Sequence, residues 1–186
     1  MEPFIPVYNI TTAGYLRLNG QNDATIPLLK AISPGGPTVA YLRNWELAMS
    51  YATAGRYNDA ADTLLAIPAN QNRISRRSVE DAARLLRGAP AKVATPDALP
   101  AFNDEMNFVY AYVGAPNRVL EFSEHFFEIT GNAAGVRQLW APIYAPVRKT
   151  ERFKALVRNT GLVDYWRARG WPDLCHPVGA DDFACE

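Results

Sequence analysis

Histidine and cysteine are scarce in this chain, with two of each in 186 residues. That supply excludes most metal clusters and leaves only His125 and His176 as imidazole bases. Neither stands beside a Gly-x-Ser-x-Gly turn that would present a nucleophile. Charge of one sign is also missing. Nineteen basic residues balance nineteen acidic ones, whereas proteins that coat nucleic acid carry a basic excess. No apolar run approaches the roughly 20 residues that span a bilayer. The opening MEPFIPVYNI lacks the basic and apolar regions of a secretory signal, so a cytoplasmic setting is expected. A phosphate-cradling loop is absent too. Ser33-Pro34-Gly35-Gly36-Pro37 has the glycines but no following Lys-Ser/Thr, and its prolines bring no amide hydrogen. It reads as a turn between helices. Nothing places two carboxylates in an apolar cleft. The expectation is therefore a chain without catalytic residues, metal or cofactor, and without direct nucleic-acid or membrane binding.

What is present is a core-forming composition, 48% hydrophobic and 20% charged, which suits one domain or one repeat array. Charge is uneven along the chain. Residues 137–170 hold eight Lys/Arg against Glu151 and Asp164, and residues 101–136 hold five acids against Arg118. The basic strip reads either as a solvated helix face or as a surface for an acidic partner.

The stretch from Tyr41 to Pro68 reads as two helices. Leu47, Ala48, Tyr51 and Ala52 recur at helical spacing, Gly55 stops the first helix, and Asn58 or Asp59 can cap a second bearing Ala60, Ala61, Leu64 and Leu65. The pattern Ala48-x2-Tyr51-x3-Gly55-x-Tyr57-x2-Ala60-x3-Leu64 resembles a tetratricopeptide repeat (TPR). Ala48 and Ala60 let the paired helices approach, Tyr51 and Leu64 fill between them, and Gly55 makes the turn. Weaker copies flank it. Upstream are Tyr15, Ala24, Leu28 and Ala31, with Asn19 in the glycine position. Downstream are Tyr110, Gly114, Val119, Ser123 and Phe126. Between them SRRSVEDAARLLRG reads as one more helix, with Ser78 as its cap and Gly88 as its stop, followed by a proline-bearing loop over residues 89–100.

In the last third, Pro142 and Pro146 keep one helix short or kinked. Thr150 can cap the next, which stops at Gly161, and a final helix stops at Gly170. Arg152-Phe153, Leu156, Gly161-Leu162, Tyr165-Trp166 and Trp171-Pro172-Asp173-Leu174-Cys175 resemble the segment closing helical-repeat arrays in bacterial multidomain signalling proteins. There the array is joined to a winged-helix or nucleotide-cyclase output domain. Together the resemblances cover residues 12–176.

They imply an all-α, right-handed superhelix of antiparallel helix pairs, a TPR-like α-solenoid with a C-terminal capping helix. A single domain over 1–176 would hold repeats at about 5–36, 38–68 and 102–130, an extra helix at 75–88 and a cap at 137–170, with an irregular tail at 171–186. The implied function is a non-catalytic protein- or peptide-binding scaffold in bacterial signalling or transcriptional regulation, with fusion to an output domain in a longer protein as one setting. A ligand-sensing regulatory domain is the alternative. By the same resemblance, the first helix of each pair points Trp45, Met49 and Thr53, then Asp104, Phe108 and Tyr112, into the concave face. Relatives that clamp a carboxylate use Lys and Asn there, so an apolar or aromatic peptide is expected. A tightly curled array that buries Trp45 and Phe108 is the competing reading.

Two clusters stay open. His125 shares a helix face with Glu121 and Glu128, as a metal site or a solvated acidic face. Cys175, His176 and Cys185 can be a disulfide, free thiols or zinc ligands. The missing export signal puts thiols first.

Overall fold

The structure is a computed structural model that describes residues 5–68, 74–92, 94–102 and 104–186. The first four residues of the expected 1–176 domain, together with 69–73, 93 and 103, lie outside the described residues. The described chain is mostly helical. Its α-helices are α1 (Pro6–Leu18), α2 (Asn22–Lys30), α3 (Pro37–Thr53), α4 (Tyr57–Leu65), α5 (Arg76–Gly88), α6 (Pro116–Thr130), α7 (Ala145–Arg148), α8 (Glu151–Asn159) and α9 (Leu162–Arg169). Short 3-10 helices span Pro96–Ala98, Glu105–Tyr112, Ala133–Trp140 and Pro142–Tyr144. Strands β1 (Cys175–Val178) and β2 (Asp182–Cys185) pair antiparallel. The residues expected as an irregular tail therefore form a hairpin.

Three helix pairs share one turn. Gly20, Gly55 and Gly114 sit at φ of 75°, 73° and 75°, a left-handed conformation that glycine adopts without a Cβ penalty. Gly20 N donates to Arg17 O and Gly55 N to Ala52 O, both at 3.0 Å. The next amide reaches five residues back: Gln21 to Leu16 O at 2.8 Å, Arg56 to Tyr51 O at 2.9 Å, and Ala115 to Tyr110 O at 3.1 Å. This pattern satisfies the carbonyls left over at the helix end.

The shared turn corrects the register of the first pair by one residue. Asn19 has φ −89°, and the left-handed position belongs to Gly20. The buried side of α2 is thus Thr25 and Leu29, while Ala24 and Ala31 face solvent. Counted from the three glycines, Thr25, Ala60 and Val119 are equivalent and fully buried, as are Ala13, Ala48 and Asn107. In the third pair the first helix is 3-10 rather than α. It buries Met106, Asn107, Phe108, Val109, Tyr110 and Tyr112, so it shows no single apolar face.

Two helix starts also differ from expectation. α5 begins earlier: Ser75 is the cap, its Oγ accepting from Ser78 N at 3.0 Å. α4 starts at Tyr57 without a side-chain cap, and Asp59 instead pairs with Arg56 at 2.7 Å. At α8 the expected cap forms, Thr150 Oγ1 accepting from Phe153 N at 3.1 Å.

The C-terminal end is an aromatic cluster under the hairpin. Trp166 packs between Trp140 (6.0 Å), Trp171 (5.7 Å) and Phe183 (5.9 Å between ring centroids). Phe153 and Trp166 are both buried. Cys175 and Cys185 form a disulfide across the hairpin, with sulfurs 2.03 Å apart. The cysteines are thus neither free thiols nor zinc ligands. Asp182 accepts from Lys154 at 2.9 Å and from Arg158 at 2.6 Å, which ties the hairpin to α8.

Candidate binding site

A partly open hollow of about 200 Å³ lies between α1, α3 and residues 137–138. Ile10, Gly14 and Leu18 of α1 and Leu42 and Trp45 of α3 form its walls. Arg137 and Gln138 form the rim. Its origin lies in one residue. Counted back from the turn glycines, Gly14 holds the place occupied by Met49 and Phe108 in the other two pairs. Those two side chains are each 1% exposed and fill the interior. At Gly14 there is no side chain, and the space stays open. A Cβ placed there would lie 3.5 Å from Glu46 Oε2, so the glycine leaves that carboxylate as the floor.

The floor is neutralised from within. Arg17 Nε donates to Glu46 Oε1 at 2.5 Å and Nη2 to Oε2 at 3.4 Å, with both side chains buried. Burial pulls the Arg17 pKa down, but the charge and hydrogen bonds of Glu46 outweigh it, and the guanidinium is held above its usual value. Such a pair is stable only with this geometry, because two desolvated charges must satisfy each other.

A second hollow of about 200 Å³ lies on the other side of Arg137 and Gln138, between Glu105, Phe122, Phe126 and Gly135. Glu105 occupies the place of Glu46 in its pair. Its Oε2 accepts from Tyr41 Oη at 3.2 Å and its backbone oxygen from Trp45 Nε1 at 3.4 Å. Burial pushes the Glu105 carboxyl up, and its Tyr41 hydrogen bond offsets part of that. Burial and the Glu105 charge push the Tyr41 phenol up in turn.

Residues 133–148 reach back to the first helix pairs at several points. Their Tyr144 is buried, and the charges of Tyr112, Arg17 and Glu46 act on its phenol. A Cβ on Gly20 would meet the Pro142 ring at 3.8 Å. The six expected groove residues lie in different surroundings. Trp45 is half-buried on the hollow's wall. Met49, Phe108 and Tyr112 are core, the two rings of Phe108 and Tyr112 meeting edge to face at 6.3 Å. Thr53 shares a 2.8 Å hydrogen bond with the Tyr112 hydroxyl. Asp104 caps its helix by accepting from Met106 N at 3.0 Å. With Met49, Phe108 and Tyr112 buried, no continuous groove runs past all six, and of the six Trp45 lines the hollow beside α1.

Gly14, Arg17, Glu46 and Arg137 line the hollow, and none of them belongs to a repeat motif. A glycine inside a helix and two charges on otherwise apolar faces were the available signals. The hollow's lining holds no histidine or cysteine. His125 is exposed, Glu121 pairs with Arg118, and among the described residues no three His, Cys, Asp or Glu side chains are placed to hold one metal ion. Comparison with protein-family models, with curated proteins and with solved structures gives no match.

Proposed function

We propose that this chain is a non-catalytic, TPR-like peptide-binding scaffold whose contact is centred on the hollow beneath α1. The observation that supports this reading is the side chain missing at Gly14. It opens a lined hollow on the face where the neighbouring pairs are filled, and exposed apolar side chains continue from it across the surface. Val7 is 41% and Tyr15 52% exposed at its edge. An anchor in a pocket with apolar surface around it is how a peptide interface concentrates its affinity. The right-handed superhelix, the place in bacterial signalling or transcriptional control, and fusion to an output domain follow from the resemblance and belong to this proposal. Selection of random peptides on the immobilised full chain tests it. Enrichment of a sequence family that competes for one site is the expected result, and absence of enrichment ends the reading.

The alternative, a ligand-sensing regulatory domain, draws on a different observation. Arg137 and Gln138 stand between two separate hollows rather than along one groove. A sensor would bind a free small molecule there without any need for the flanking apolar surface. The expected cytoplasmic setting meets one opposing observation, the Cys175–Cys185 bond, since disulfides persist mainly in oxidising compartments.

A further inference from the structure

The hollow beneath α1 has a size and a charge, and together they specify the kind of peptide. An apolar cavity of about 150 Å³ accommodates one benzene. The hollow, at about 200 Å³, has room for one aromatic or leucine-sized side chain. Its walls fit that occupant, with Ile10, Leu18, Leu42 and the half-buried Trp45 around the space.

The charge comes from counting what is already paired. Arg17 and Glu46 cancel each other at the floor. Among the described residues no carboxylate stands within ion-pair distance of Arg137. Its guanidinium instead lies 5.9 Å from the centre of the Tyr15 ring. Glu105, which shares the second hollow with it, is engaged by the Tyr41 hydroxyl. The rim therefore presents an exposed cation beside a hole with apolar walls and a neutralised floor, with the Gln138 amide next to it.

We propose that the hollow is an anchor subsite for one aromatic or large aliphatic side chain of an acidic peptide, with Arg137 pairing the carboxylate that flanks the anchor. This rests on the peptide-binding reading above. A lysine or arginine flanking the anchor would meet Arg137 as a like charge. The glycine fits the assignment: it is unfavourable in a helix interior, and here it keeps the hole open.

Three fluorescein-labelled pentapeptides test this on the full chain by anisotropy: Gly-Asp-Phe-Asp-Gly, Gly-Lys-Phe-Lys-Gly and Gly-Asp-Ala-Asp-Gly. The first binds at least about tenfold more tightly than the other two, which is a clear separation on the affinity scale. The margin over the lysine peptide shrinks with added salt. Gly14→Met, which puts back the side chain of the neighbouring pair, abolishes binding of the first peptide. Arg137→Glu, on the surface and without threat to the fold, reverses the order of the acidic and basic peptides. Equal binding of those two overturns the proposal. So does a folded Gly14→Met variant that binds like the parent, or an unchanged order in Arg137→Glu. Should Gly14→Met fail to fold, the Arg137→Glu variant and the alanine peptide decide alone. Selected peptides that bind but ignore Arg137→Glu remove this subsite and leave the scaffold reading standing. No selected peptide at all removes both.

Discussion

Glu46 carries more consequence than any other single side chain near the hollow, because it balances a buried guanidinium. Glu46→Gln keeps the shape and removes the charge, leaving Arg17 buried without a counter-ion. Loss of one partner of a buried pair costs about 3–5 kcal/mol. Urea unfolding of Glu46→Gln is expected to show that drop, and a double Arg17→Met/Glu46→Leu variant to recover most of it. A Glu46→Gln midpoint equal to the parent's would mean the pair is not buried as described. The tyrosines around this pair make a separate prediction. Burial holds Tyr112 up to about 12 and raises Tyr41 and Tyr144 above the ordinary phenol value. In the unfolded chain these phenols ionise near pH 10. Their contribution to stability is therefore intact below about pH 10 and is lost as pH rises toward the folded-state values. Of the absorbance change from the nine tyrosines, the share of these buried rings should appear only in a late, steep phase coincident with loss of helical circular dichroism. A gradual rise complete by about pH 10.5 would contradict the burial of these three rings.

Helix pairs depend on small residues at their crossings. Ala60 and Ala48 are fully buried where α4 meets α3, so Ala60→Leu forces bulk into a close approach and costs about 1–3 kcal/mol. A thermal melt indistinguishable from the parent's would show the α3–α4 register to be wrong. The hairpin of β1 and β2 is the other element with a separable role. It lays Phe183 against Trp166 and Trp171 and is held by a bond joining residues ten apart in sequence. Closing a loop of that size contributes about 2–3 kcal/mol in the chain-entropy account. A Cys175→Ser/Cys185→Ser variant is expected to melt lower and to show red-shifted tryptophan fluorescence as water reaches Trp166. Unchanged emission would assign the covering of Trp166 to Trp140, Trp171 and the neighbouring helices rather than to the bonded hairpin.

The helix pairs were legible in the sequence and the site was not, for reasons of range. Gly55 and Gly114 announce their turns through a local backbone requirement, and Thr150 caps α8 through a hydroxyl three residues from the amide it serves. Asn19 misled the first pair because Asn tolerates the same conformation that Gly20 takes more cheaply. The hollow needed two further facts. Gly14 gains its meaning only once Gly20 fixes the register, and Arg137 reaches the rim only because residues 133–148 fold back across pairs formed far earlier in the chain. Met49, Phe108 and Tyr112 are core because other helices pack on both sides of them, a property of the assembled pairs that no periodicity encodes. The folding back of residues 133–148 also has a consequence in time. A ribosome releases about 5–20 residues per second, so α1 and α3 leave it roughly ten seconds before Tyr144 does. Throughout that interval the nascent helix pairs carry an uncovered inner surface, and a holding chaperone would find its substrate there before any partner could.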